Sequence, residues 1–309
     1  MIQYIFNQAA GPQTFSTRQF ARLRRLWLRF SDPLIEWELE GRKLRLPLSH
    51  DLPFTYRDHP LFCRNLTRLC QWVRTRSSEL RMIDVGANVG DSWCLARPID
   101  GDRFLLVEGS PRYHDILLKN TAGTPGVSVI NALIDETPGT PGGTFILREG
   151  TARVVPGPGG SVPKATLDQL TAPPDGGVGW NLLKTDIDGF DLRALHGARD
   201  LLRRDRPVVF LEFHPNLLDT AGDDPLRLFS LFKSLDYPHL LVYDNAGYLI
   251  GEFQTSDTDR WRQLILLARA RPYYYFDIAA FPAEDPEGFR TFHQREQAYF
   301  ERDVPRQFS

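Results

Sequence analysis

Two groups of residues in this 309-residue chain have the types and spacing to do chemistry. The first lies in "MIDVGANVGDS", residues 82–92, which sets Asp84, Gly86, Asn88 and Gly90 at the end of a short apolar run. Glycines there let the backbone turn tightly and approach a ligand closely. Glu108 follows 22 residues after Gly86, at the end of "RFLLVEGS", with Gly109 and Ser110 behind it. A carboxylate at that place can accept both hydroxyls of a ribose. The second group is "KTDIDGFD" with Asp186 and Asp188, and "LEFHP" with Glu212 and His214. Period-two alternation points Asp186 and Asp188 to one side of a continuing strand, and likewise Glu212 and His214. Carboxylates beside an imidazole can take a proton from a hydroxyl or hold a divalent cation.

The first turn discriminates between ligands. A dinucleotide site wants glycine at 86, 88 and 91, and Asn88 and Asp91 break that fingerprint twice. Asp84 and Asp91 suit a cationic ligand better than a phosphate. S-adenosylmethionine carries a ribose, an ammonium and a sulfonium, and no phosphate. The plainer alternative is that Asp84 and Glu108 cap strand ends.

These residues need strands to carry them. From residue 80 strands and helices alternate: "RMIDVG", "RFLLVEGS", "VSVINALI", "WNLLKTDIDG" and "RPVVFLEFHP" read as strands. "PRYHDILLKNT", opened by Pro111, "FDLRALHGARDLLRR" and "DPLRLFSLFKSL" read as helices between or after them. "HLLVYDNAGYLIGEF" reads as a closing hairpin turning at Asn245–Ala246–Gly247. This pattern predicts an α/β fold, a mostly parallel doubly wound sheet with a terminal antiparallel hairpin. In such sheets ligands bind at the carboxyl ends of the strands, where strand order reverses. Residues 136–179 form a Pro/Gly-rich insertion with "GGTFILREG" and "ATLDQL", expected to be a partly ordered flap. Gly189 is expected to allow a tight turn after the fourth strand and Gly197 a close helix approach.

Residues 1–75 read as a small N-terminal helix-and-hairpin extension ahead of a main domain over 76–309. "STRQFARLRRLWLRF" opens with a candidate capping box, Ser16 to Gln19. Phe20, Leu23, Trp27 and Phe30 fall near one helical face and Arg18, Arg22, Arg25 and Arg29 on others. That helix reads as docked on the body with a solvated basic side. The sharper alternative is peripheral contact with anionic lipid or a phosphorylated substrate. "IEWELEGRKLRLPL" reads as a hairpin around Gly41, and "HPLFCRNLTRLCQWVRTR" as a helix.

Composition narrows the function classes. A formal net charge of −2 gives no global pull toward nucleic acid. No apolar run reaches the roughly 18 residues needed to span a bilayer. The N-terminus lacks the basic start and apolar stretch of a signal peptide. Cys63, Cys70 and Cys94 form no C-x-x-C pair, which predicts reduced thiols in a cytoplasmic setting and no structural zinc.

Taken in order, "MIDVGANVGDS", "FLLVEGSPRYHDILLKN", "ATLDQL", "NLLKTDIDGFDLRALHGA" and "PVVFLEFHP" resemble the FkbM-type S-adenosylmethionine-dependent methyltransferases over roughly residues 58–215. The resemblance implies a class I methyltransferase (Rossmann-like) fold. It also implies O-methylation, often of sugars in glycan, polysaccharide or natural-product pathways. It further places Asn131 and Ala132, at the end of the third strand, near the adenine. Asp188 departs from the glutamate that many members carry in D-x-E-G.

Methyl transfer to a hydroxyl is an in-line displacement that needs positioning and a proton acceptor. The sequence favours His214 as the base, oriented by Asp186 or Glu212. The competing assignment makes Asp186 or Asp188 the base and His214 a substrate ligand. In a purely structural reading His214 satisfies a loop and Glu212 anchors a turn. A divalent metal on Asp186, Glu212 and His214 is not favoured, because no tight ligand spacing is present. The run Tyr273–Phe276 reads as core and edge packing, or as the lining of an acceptor pocket. Two other functions compete. One is an NAD(P)-dependent oxidoreductase or epimerase, which lacks its glycines and any Tyr-x-x-x-Lys pair. The other is a non-catalytic nucleoside-binding protein.

Overall fold

In the computed structural model of the protein, residues 1–139, 144–148, 150–155, 162–171 and 178–304 are described. The predicted insertion is therefore seen in part. Its described portion includes an antiparallel hairpin of Thr144–Arg148 with Thr151–Val155, and a short helix Leu167–Leu170 capped reciprocally by Thr166 and Gln169. The rest of the expected insertion lies outside the described residues.

Eight strands make the central sheet: β1 (Arg81–Val85), β2 (Arg103–Glu108), β3 (Val127–Asn131), β4 (Leu182–Thr185), β5 (Val208–Phe213), β6 (His239–Asp244), β7 (Leu249–Gln254) and β8 (Phe276–Phe281). Their order across the sheet is β7-β6-β8-β5-β4-β1-β2-β3. From β3 to β5 every neighbouring pair is parallel. The chain winds from β1 out to β3 and returns to β4 on the other side of β1. Strand order thus reverses between β1 and β4, the switch point at whose carboxyl ends sheets of this kind bind their ligands. This is the class I methyltransferase architecture.

The expected hairpin is β6–β7, and it forms the outer edge. The sequence reading missed β8, which runs antiparallel between β5 and β6. All six residues of "FDIAAF" are buried, so the strand shows no polar–apolar alternation to mark it. "FDLRALHGARDLLRR" is two helices, Asp191–His196 and Arg199–Asp205, where one was expected. Gly197 divides them because the chain presses there against the body. A Cβ on it would sit 2.4 Å from the Asp135 carbonyl oxygen. The second helix has its own cap: Asp168 accepts from the amides of Asp200 and Leu201 at 3.1 and 2.8 Å.

Alternate residues of the strands fill two cores. Met82, Phe104, Leu106 and Phe210 pack on one face with Phe6, Ile35, Leu44 and Leu69 of the N-terminal extension. Ile83, Val85, Leu105, Leu183 and Val209 pack on the other with Leu195, Leu201 and Phe232. The extension is also stitched to the C-terminal helix Pro286–Arg302. Arg68 donates twice to Glu296, at 2.7 Å each, and the Tyr243 hydroxyl donates to the same carboxylate at 3.0 Å.

Within the extension the capping box is Thr14 with Thr17, not Ser16 with Gln19. The helix starts at Phe15, so Ser16 already lies inside its first turn. The hairpin Leu34–Leu39 with Arg42–Pro47 turns through Glu40 and Gly41, both at positive φ (+51° and +75°), as a two-residue turn between twisted strands requires.

Candidate active site

The Gly-rich turn leaves β1 at this switch point. Gly86 has φ +79°, and a Cβ there would lie 2.0 Å from the Asp186 carbonyl oxygen, so only glycine lets the β1 and β4 ends close up. Asn88 is left-handed too, at φ +49°. Its amide donates to Glu108 Oε2 at 2.8 Å, and the Ser110 amide donates to Oε1 at 2.7 Å. Glu108 thereby ties the turn to the end of β2. Each oxygen keeps acceptor capacity, since a carboxylate offers about four lone-pair sites. Gly109 is held close to β3's exit, where a Cβ would meet Leu133 at 2.9 Å. Asn131 donates to the carbonyls of Glu108 and Gly109 at 2.7 and 3.0 Å, and Ala132 beside it is buried. Asn131 thereby braces the β2 end.

Carboxylates crowd the same edge. Asp84 on β1 stands opposite Lys184 on β4 in the parallel register, and the Lys184 ammonium donates to Asp84 Oδ1 at 3.0 Å. Lys184 also lies 3.6 Å from Asp186 Oδ2. Past β4 the loop through Asp188 (φ +53°) and Gly189 (φ +90°) is pinned by Asp191. Its Oδ1 accepts from the Thr185 hydroxyl and the Ile187 amide, and its Oδ2 from the Gly189 amide. A Cβ on Gly189 would lie 2.5 Å from the Leu217 backbone, which accounts for a glycine at this turn. Glu212 on β5 pairs in register with Asp277 on β8. His214 caps the helix Pro215–Ala221, is buried, and stacks on Tyr275 with ring centroids 5.7 Å apart at 24°. Asn65 of the extension donates to Asp277 at 2.9 Å.

The sequence model of the FkbM methyltransferase domain matches residues 84–239, just over half of the chain. The chain belongs to the FkbM methyltransferase family. The matched segment is a methyltransferase domain. No curated protein matches it. Among solved structures it is similar to an FkbM methyltransferase from Methylobacillus flagellatus, at 14% identity and TM-score 0.35, covering 68% of this chain and 48% of that one. The match thus spans about half the length of that protein. The chain is also similar to an O-methyltransferase from Bacillus cereus in complex with SAH (14%, TM-score 0.39, 69% and 80% covered). A third likeness is to the METTL16 methyltransferase domain (15%, TM-score 0.43, 87% and 82% covered).

In this FkbM-family chain the charges at the strand ends strain against burial. Burial pushes the Glu108 carboxyl up to about 7, and its two backbone donors offset that only in part. Burial likewise raises Asp277 to about 7 against the Asn65 hydrogen bond, Asp191 to about 7 with Asp186 adding to it, and Asp91 to about 6 despite Lys184. Glu212 is driven well above the carboxylate range by burial and by Asp186, Asp188, Asp191 and Asp277. Burial opposes the charge of Lys184, but Asp84, Asp186 and Asp91 outweigh it and hold the ammonium firmly protonated. One buried cation thus faces a surplus of carboxylates. Among the described residues, no three or more His, Cys, Asp or Glu side chains are gathered so as to hold a metal ion.

The surplus has a measurable consequence. Four acids bind protons more tightly folded than unfolded, so the folded state carries the extra protons at intermediate pH. Stability then falls as pH rises from the unfolded carboxylate range, near 4, through the folded values of 6 to 7. His50, which burial lowers to about 4, and His196, also lowered by burial, act oppositely, but they are two groups against four. The Tm of the ligand-free protein is expected to drop between pH 5 and pH 8. A scan that stays flat or rises across that range would contradict the burial of these acids.

Several residues at the site escaped the sequence reading. Asp277 sits at the start of the overlooked β8, just after Tyr275 of the run that the sequence offered as packing or pocket lining. Lys184 stood in plain view as the lone basic residue of "NLLKTD", and a lysine inside a buried strand asks for a carboxylate partner. Asn65 and His50 come from the extension. His50 lies against the Gly-rich turn, with Nε2 3.3 Å from Asn88 Oδ1, while Asn88 Nδ2 donates to Gly150 of the insertion at 2.7 Å. Cys63, also from the extension, feels Asp277, Asp91 and Asp186; burial first, then these charges, push its thiol well up.

Proposed function

We propose that this protein is an O-methyltransferase that transfers the methyl group of S-adenosylmethionine to a hydroxyl of a sugar or glycan-linked acceptor. The observation that carries the reading is the pairing of two features at one sheet edge. Glu108 and the Gly-rich turn suit a ribose, and farther along the carboxyl end of the same sheet, past β5, an imidazole is stacked on an aromatic ring. When bound, S-adenosylmethionine supplies an electrophilic methyl group on a sulfonium. Glu108 accepts the ribose hydroxyls. Asp84, Asp91 and Asp186 set a negative field for the cation. His214, its ring face against Tyr275, takes the proton of the acceptor hydroxyl. Glu212 and Asp277 accept hydrogen bonds from neighbouring hydroxyls, and an aromatic face such as Tyr275 suits a sugar ring.

A nicotinamide dinucleotide fits poorly. The helix after the turn, Asp91–Leu95, carries Asp91 at its first position, where a pyrophosphate would sit. S-adenosylhomocysteine should therefore raise the Tm by mass action and NAD should not. Equal or greater stabilisation by NAD in a thermal-shift titration would overturn the reading. The acceptor class is tested by radiolabel transfer from S-adenosylmethionine to a panel of sugars and oligosaccharides, with amine acceptors alongside.

Metal dependence is tested separately. With a protein base at work, turnover should survive EDTA. Complete loss, restored by Mg²⁺, would instead make Asp186, Glu212 and His214 ligands.

A further inference from the structure

The first 31 residues contain five arginines, no lysine and no acidic residue, while the whole chain has a net charge of −2. The remaining residues therefore carry −7. Four of those arginines, Arg18, Arg22, Arg25 and Arg29, lie on or just past the helix Phe15–Trp27 and are exposed. The fifth, Arg24, points the other way. It is buried and bonds the Leu48 carbonyl at 2.7 Å and Asp51 at 2.8 Å, which anchors the helix to the body.

The outward face is not only basic. Phe15 is 79% exposed, Leu23 46%, Leu26 50% and Phe30 84%. Phe30 continues the helical turn, its amide bonding the Trp27 carbonyl at 2.9 Å. At about 100° per residue these four apolar side chains share an arc of roughly 80°, and the four arginines fill the adjoining arc of roughly 60°. No ion pair is recorded for those arginines among the described residues.

We propose that this face of the helix lies in the surface of an anionic lipid bilayer. Phe15, Leu23, Leu26 and Phe30 enter the headgroup–acyl boundary, and the arginines beside them meet lipid phosphates. A second copy of the chain is a poor occupant, because a two-fold contact through this face would set arginines against arginines. A nucleic acid would satisfy the arginines and leave the apolar ridge in water. A bilayer surface satisfies both.

The test is co-sedimentation of the full chain with vesicles of phosphatidylcholine alone, and of phosphatidylcholine with about one third replaced by phosphatidylglycerol. Binding is expected to the anionic vesicles only, and to weaken as salt is raised. Each arginine near such a surface is worth about fivefold in partition, so changing all four to glutamine should reduce binding by about several hundredfold. The triple change Phe15→Ser, Leu26→Ser, Phe30→Ser should also abolish it. That loss separates a bilayer from a free phosphate, which would not need the ridge. Both variants should keep the parent's Tm and its response to S-adenosylhomocysteine, since the altered side chains face outward. Equal pelleting with neutral vesicles, no pelleting with anionic ones, or variants that pellet like the parent would each overturn the proposal. So would a parent dimer that the serine variant dissociates, if no vesicle binding accompanies it.

Discussion

Glu108→Ala should weaken S-adenosylhomocysteine binding by roughly 10- to 150-fold, the range for losing hydrogen bonds to a charged acceptor. The expected effect is large because this carboxylate acts on both sides. Toward the ligand it accepts hydroxyl protons. Toward the protein it holds the amides of Asn88 and Ser110 at 2.8 and 2.7 Å, fixing the turn to the end of β2. The alanine variant leaves two donors unpaired in a buried place, so its Tm should fall as well. Glu108→Gln keeps one oxygen acceptor and puts an amide N–H₂ against a donor, so it should bind more weakly than the parent but better than the alanine variant. Isothermal titration well below each Tm separates binding from stability. An unchanged affinity in both variants would remove Glu108 from the ligand site and leave it a brace.

His214→Ala is expected to lower kcat by roughly 10²- to 10⁴-fold, with the affinity for S-adenosylmethionine close to the parent's. The split follows from position. His214 leaves β5 two residues after Glu212, away from the Gly-rich turn that follows β1. Its stacking on Tyr275 fixes the ring face, so the imidazole presents an edge nitrogen without having to be ordered during the reaction. An imidazole must be neutral to accept a proton, so kcat should fall on acidification and that limb should vanish in the variant. Parent-level kcat with a raised acceptor KM would make His214 a substrate ligand. The base would then be sought at Asp186 or Asp188.

The sequence alone determined the alternation of strands and helices from residue 80, and with it the doubly wound sheet. It also determined the two chemical clusters, because strand ends and glycine turns are local. Gly86 and Gly90 declare a turn by their freedom at positive φ, observed at +79° and +92°. Glu108 follows at the spacing of one crossover. The sequence also put Asp186 and Glu212 near the ends of successive strands, but β4 stops at Thr185 and Asp188 is left-handed (φ +53°), so the alternation expected to hold Asp186 and Asp188 on one side does not reach them.

What only the tertiary structure decided is which distant residues meet there. Asn65 and Asp277 bond across 212 positions, and nothing local to either residue encodes the other. The uniform burial of β8 erased the alternation that would have announced it, so Asp277 reached the site unseen. The broken helix at Gly197 follows from one close approach to the Asp135 carbonyl, a non-local contact again. Charge follows the same rule. Sequence lists the acids, but burial sets how tightly each holds its proton, and burial exists only once both faces of the sheet are covered.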